Sequence, residues 1–143
     1  MPPRPRKRKR RGVVDTSVLL AGISGFKDVY VAGRVASADV LYRWAKSDHF
    51  VWLVTEDILN EYKEILNRRH VRSPLSGRII GLIRERAEYI EVPSSFEISP
   101  DPDDNPFCSC AETGKADFIV TLNPKDFPED RLSAAVLTPD RLD

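Results

Sequence analysis

The sequence predicts an α/β domain of three layers, α/β/α, with a mostly parallel central sheet of four to five strands. Three observations carry that prediction. Short apolar runs of strand length alternate along the chain with longer segments of helical periodicity. The clearest of those runs, Phe50 to Val54, is apolar throughout, as a strand buried on both faces must be. The 143 residues suffice for one domain with a sizeable core, and no internal repeat breaks them into smaller units.

Taken in order, Val13-Val14-Asp15 reads as a short buried strand ending on a carboxylate, and Thr16 to Leu20 begins a short helix. A loop carrying Gly, Lys and Asp follows from Gly22 to about Val31. Val35, Ala38, Leu41, Tyr42 and Ala45 recur at helical spacing and predict a second helix to about Ser47. After the strand at 50–54, Thr55 suits an N-cap, and Glu56 and Asp57 suit the positive end of a third helix. Ile58, Leu59, Tyr62, Ile65 and Leu66 form its apolar face. Ser73-Pro74 opens a fourth helix to about Glu88, with Ile79, Leu82 and Ile83 turned inward. Tyr89 to Val92 is the next strand, and Ser94 to Pro106 a polar, proline-rich loop. A short helix with Phe107, Cys110 and Ala111 stops at Gly114. Phe118 to Thr121 is a further buried strand and Ala134 to Leu137 the last. Parallel strands joined by helices place a ligand site at the carboxyl ends of the strands.

Composition narrows the classes. Apolar residues are 41% and charged residues 31% of the chain, a globular profile. No apolar run reaches the roughly 20 residues of a bilayer span, and no apolar stretch follows the basic N-terminus as in a secretory signal. Two cysteines, Cys108 and Cys110, are too few for a disulfide framework and read as reduced packing residues of a cytoplasmic protein. His49 and His70 lack zinc-finger spacing to them. The net charge of zero conceals an asymmetry: seven of the first eleven residues are basic and none is acidic. The rest carries fifteen basic against twenty-two acidic residues, a formal −7. The expected division is a flexible basic arm over residues 1–11 and a folded domain over 12–143. Arg6, Lys7, Arg8, Lys9, Arg10 and Arg11 are candidates to grip RNA phosphates, since each neutralised phosphate releases counterions. A solubilising extension is the plainer reading.

Carboxylates carry the chemistry. Asp15 stands where the sheet would place a ligand, although the same position suits a helix cap. At 100° per residue, Glu61 lies about 100° from the Tyr62 centre of its helix's buried face and about 40° from Ile65, so it can point into a cleft. Glu64, about 160° away, is solvated. Asp101, Asp103 and Asp104 crowd three acids into four positions, where they repel unless a cation or water intervenes. Asn105 before Pro106 can cap the following helix, which does not account for three acids. A hard cation such as Mg2+ or Mn2+ prefers oxygen ligands and keeps several waters, and metal-assisted attack on a phosphodiester is the matching chemistry.

The segments VVDTSVLLAG at 13–22, TEDILNEYKEIL at 55–66 and DPDDNPFCSCAETGKADFIVTLNPKDF at 101–127 together resemble the PIN domain. Within it the chain is most similar to VapC-like toxin components of toxin–antitoxin systems, over roughly residues 12–138. The resemblance implies a metal-dependent endoribonuclease with Asp15, Glu61 and Asp104 as catalytic and metal-binding acids. It adds Asp101, Asp103, Asn123 and Asp126 as further candidate ligands and Thr16, Ser17 and Thr121 as supporting hydroxyls. It implies Mg2+ or Mn2+ as cofactor, RNA as substrate, an antitoxin protein as partner and a homodimer. The chain departs from the family at Asn123, where many members carry a fourth acid. That departure favours, as the alternative, a degenerate fold that binds RNA or protein without cutting. Asp117, at the start of its strand, is structural. An aspartyl phosphatase would need a second Asp where Ser17 stands, no phosphate-binding P-loop motif is present, and a receiver domain leaves residues 55–66 without a role.

Overall fold

A computed structural model of the chain describes residues 8–25, 30–69, 74–93 and 102–143. Its centre is a five-stranded, all-parallel sheet in the order β3-β2-β1-β4-β5. The strands are β1 (Arg11–Val14), β2 (Val51–Val54), β3 (Glu88–Tyr89), β4 (Phe118–Val120) and β5 (Ala135–Leu137). Five helices flank it: α1 (Thr16–Ser24), α2 (Ala36–Ser47), α3 (Glu56–Arg68), α4 (Pro74–Arg86) and α5 (Asn105–Thr113). This is the expected α/β/α arrangement. Among the described residues no helix is long and apolar enough to cross a membrane.

The central strand β1 pairs with β2 and β4, so Gly12 faces Trp52 on one side and Phe118 on the other. A Cβ at Gly12 would stand 2.1 Å from the Phe118 ring, which explains a glycine inside a buried strand. Around it, Phe50, Trp52, Tyr62, Phe107 and Phe118 are buried in one aromatic core, the ring of Phe50 meeting that of Phe118 edge-on at 5.3 Å. α3 and α4 bury residues of the faces that predict them, whereas α2 starts after Val35, leaves Tyr42 exposed and buries Val40 and Trp44 beside the expected Ala38 and Leu41. Both cysteines lie buried in this core on α5 as free thiols.

Several boundaries differ from expectation. α1 runs on through Gly22 to Ser24, because Gly22 lets the helix approach Leu41 of α2; a Cβ there would come within 2.5 Å of that side chain. The strand expected at 89–92 is the two-residue β3, ending at Tyr89. Ser73, expected to open α4, lies outside the described residues. α5 begins at Asn105, so Asp104 takes the cap position expected of Asn105. Gly114 ends α5 with an ordinary φ of −83°, and the left-handed turn falls on Lys115 at φ 54°. Gly114 is small for space instead: a Cβ would meet Leu53 at 2.9 Å.

The boundary expected between residues 11 and 12 falls inside the fold. Arg11 is the first residue of β1, its backbone N–H donating to Asp117 Oδ2 at 2.8 Å and its guanidinium to Glu88 and the Gly114 carbonyl. Arg8 donates to Asp117 Oδ1 at 2.8 Å, Lys9 pairs with Asp48, and Arg10 reaches the Asp143 carbonyl and lies over the Phe118 ring. The basic residues from 8 to 11 are thereby bound to the body, whereas Arg6 and Lys7 lie outside the described residues.

Candidate active site

The site is built where β1 and β4 end side by side, with Val14 in register with Val120. The Asp15 N–H continues the ladder by donating to the Val120 carbonyl at 3.0 Å. This fixes Asp15 at the mouth of the sheet, extended at φ −66° and ψ 148° and only 7% exposed. It occupies the cap position of α1 yet makes no side-chain capping bond. Its Oδ2 instead accepts from Ser17 Oγ at 2.6 Å and from Thr121 Oγ1 at 2.9 Å.

Each hydroxyl is itself oriented. The Leu122 N–H donates to Ser17 Oγ at 3.2 Å and the Asn123 N–H to Thr121 Oγ1 at 3.0 Å. A hydroxyl that accepts from a backbone N–H keeps its proton for the carboxylate. Among the described residues Oδ1 of Asp15 accepts no hydrogen bond, and this oxygen is the one left to meet a ligand. The cap reading of Asp15 is thereby set aside.

Glu61 arrives from α3. Thr55 caps that helix as expected, its Oγ1 accepting from the Ile58 N–H at 3.1 Å. Tyr62, fully buried, donates its hydroxyl to the Val14 carbonyl and so ties α3 to the end of β1. Glu61, next in sequence, is half-buried and faces α1, its Oε2 accepting from Thr16 Oγ1 at 2.5 Å. Burial pushes its carboxyl above the usual range, the Thr16 bond opposes this, and the charges of Asp15, Asp103 and Glu64 push it further up. Glu64 is exposed and paired with Arg68, as its helical position predicts.

The third acidic segment enters at the head of α5. Asp103 is exposed and acts electrostatically on Glu61. Asp104 is half-buried and makes no side-chain capping bond. The Cys108 thiol is pushed up to about 12, first by burial, then by the charges of Asp104, Glu112 and Asp15. The charges of Asp15 and Asp104 thus both act on one thiol, and those of Asp15 and Asp103 both act on Glu61. Asp101 lies outside the described residues.

Among the described residues no three His, Cys, Asp or Glu side chains stand close enough to hold a metal ion together. Asp15 Oδ2 accepts from Ser17 and Thr121, and Glu61 Oε2 from Thr16. The donor set still suits a hard divalent cation: Mg2+ keeps several waters and is held by one or two carboxylates rather than an all-protein cage. Asp15, through its open oxygen, and Asp104 or Glu61 are the residues that would hold it.

The remaining candidates separate. Asn123 is exposed, and its backbone N–H is the group that reaches the site. Asp126 lies exposed on the 3-10 turn Pro124–Asp126. Asp117 is structural as expected, at the opposite end of β4, where it receives Arg8 and Arg11. Arg8, Lys9, Arg10 and Arg11 lie at that same amino end of the sheet, away from Asp15. Sequence reasoning missed Tyr62's hydroxyl; its signal was a tyrosine at the centre of an apolar face, whose O–H must find a partner.

A parallel sheet with a fixed carboxylate, Asp15, at the carboxyl end of its central strand defines an α/β protein with its candidate site at that edge. The sequence matches the PIN domain over residues 11–125, from the first residue of β1 into the turn after Asn123, and the chain belongs to that family. PIN domains are typically nucleases. A search of curated proteins finds no match.

Proposed function

We propose that the chain is a metal-dependent endoribonuclease, hydrolysing RNA phosphodiester bonds at the Asp15 edge of the sheet. The observation that carries this is the fixed Asp15 carboxylate: two oriented hydroxyls hold one oxygen while the other is left open, beside Glu61. A polar group so immobilised suits positioning of a reacting phosphate, because catalysis of phosphoryl chemistry rests on orientation and charge placed in advance. Mg2+ or Mn2+, when bound, supplies positive charge to the scissile phosphate and acidifies the attacking water. Asp15, after β1, and Asp104, before α5, would be the residues to hold it. Glu61, its affinity for protons raised by burial, is suited to take the proton released as water attacks, its Oε2 held by the Thr16 hydroxyl. The resemblance to VapC-like toxins extends the reading to a cytoplasmic toxin, paired with an antitoxin protein and acting as a homodimer.

The test is cleavage of single-stranded RNA by the purified chain. Turnover is expected with Mg2+ or Mn2+, none in chelator, and a loss of orders of magnitude in Asp15→Asn. Cleavage undiminished by chelator or by Asp15→Asn removes the mechanism. The absence of cleavage in every metal supports the second reading, a degenerate PIN fold that binds without cutting, which Asn123 in place of an acid favours.

A further inference from the structure

A cleft of about 410 Å3 opens beside the acids, walled by Thr16, Ser17, Leu20, Ile65, Arg68 and Arg69. Its composition is graded. At one end stand Thr16 and Ser17, the hydroxyls that bond Glu61 and Asp15. At the other stand two arginines at the last turn of α3, and Leu20 and Ile65 form the middle. On α3 and its cap residue Arg69, Glu61, Ile65, Arg68 and Arg69 follow the i, i+4, i+7, i+8 stripe of one helix face. Seven residues at 1.5 Å put the arginines roughly 10 Å along the helix from Glu61.

We propose that this cleft is the track of the RNA strand, with Arg68 and Arg69 forming a subsite for a backbone phosphate displaced from the scissile one. The inference rests on the nuclease reading for its substrate and goes beyond it in naming the cations. Charge complementarity selects the occupant. Outside its first eleven residues the chain carries a formal −7, so a polyanion needs a local positive surface to approach the acids. The cations of residues 8–11 are engaged with Asp117, Asp48, Glu88 and backbone carbonyls at the far end of the sheet. Arg68 and Arg69 instead border the cavity that leads to Asp15. The two differ: Arg68 is paired with Glu64, whereas Arg69 has no ion pair among the described residues. A phosphate must draw Arg68 away from Glu64, so Arg69 contributes the larger share. The apolar middle gives bases or ribose a surface free of competing charge.

The experiment is fluorescence-anisotropy binding of a short single-stranded RNA in chelator across a salt series, with cleavage kinetics run in parallel. The chains are the wild type, Arg68→Ala, Arg69→Ala, the double alanine and double lysine variants, and Arg141→Ala as a control outside the cleft. The double alanine variant is expected to weaken binding at least tenfold and to flatten the log-affinity slope by about 1.4, at about 0.7 per lost contact to a single strand. Arg69→Ala accounts for more of this than Arg68→Ala, the lysine pair restores most of the slope, and Arg141→Ala changes neither. KM rises while kcat at saturating RNA holds. Unchanged affinity and slope in the double alanine variant overturn the inference even if the wild type cleaves RNA. So does a wild type without RNA affinity, which leaves the cleft to an acidic peptide. Binding lost in the double variant of a chain that never cleaves supports the cleft and overturns only the nuclease reading.

Discussion

Thr121 is completely buried, yet its hydroxyl has two tasks: it donates to Asp15 and accepts from the Asn123 N–H. Thr121→Val keeps the shape and removes both bonds, stranding a backbone donor beside a carboxylate that keeps one of its two hydroxyls. The expected cost is about 1–3 kcal/mol of stability, read as a lowered denaturant midpoint, together with a fall in kcat that Thr121→Ser largely restores. A loss of stability with kcat intact would show that Thr121 only packs. Asp15→Asn is expected to raise the melting temperature in metal-free buffer, because one charge leaves a group of mutually repelling acids; a lowered temperature means that the charge itself holds the turn. At this scale the sequence was informative in one direction. A carboxylate at a strand end and a glutamate at the border of a helix face are local patterns, and both acids lie where those patterns put them. The partners of Asp15 are not local: 106 residues separate it from Thr121, and no periodicity encodes that approach.

The strands and helices were legible because their apolar spacing is the direct imprint of burial, while their ends were decided by neighbours. Asp104 displaced Asn105 as the first flanking residue of α5, and Gly114 serves the clearance to Leu53 while Lys115 takes the left-handed turn. A left-handed conformation costs a side-chain-bearing residue roughly 1–2 kcal/mol, and Lys115→Gly is expected to stabilise the chain by up to about 1 kcal/mol after the entropy of the new glycine is subtracted. Unchanged stability in chemical denaturation counts against strain at this turn. Between α2 and β2, burial and the charges of Arg43 and Arg10 hold the His49 imidazole below its ordinary value near 6.5. The unfolded chain therefore takes up the proton first as the pH falls, and His49 subtracts stability below about pH 6.5, increasingly down to its folded value. Melting temperatures measured from neutral pH downward should fall less steeply in His49→Gln than in the wild type. Parallel curves would show that another group sets the slope.

At the scale of the whole molecule, the basic residues 8–11 are fastened at the amino end of the sheet, Arg11 to Asp117 and Glu88 and Lys9 to Asp48, while Asp15 stands at the carboxyl end of β1. Composition alone showed the asymmetry and assigned all eleven residues to a free arm; it could not show that the last of them open the central strand. Two truncations separate the cases. Removing residues 2–7 should leave melting temperature and kcat unchanged, whereas removing 2–11 should lower the melting temperature by many degrees by stripping Arg11 from β1. Equal stability in both truncations would mean that the ion pairs at the amino end contribute nothing.

The placement of β1 between β2 and β4 also has a consequence for the order of synthesis. The strand bearing Asp15 is translated before either neighbour, and it acquires β4, and the Thr121 hydroxyl with it, only about 100 residues later. An unfinished polypeptide ending before β4 contains Asp15, Glu61 and Asp104 and still lacks the hydroxyl that orients the first of them. A site assembled this way is completed only after β4 has been made, however early its first carboxylate appears.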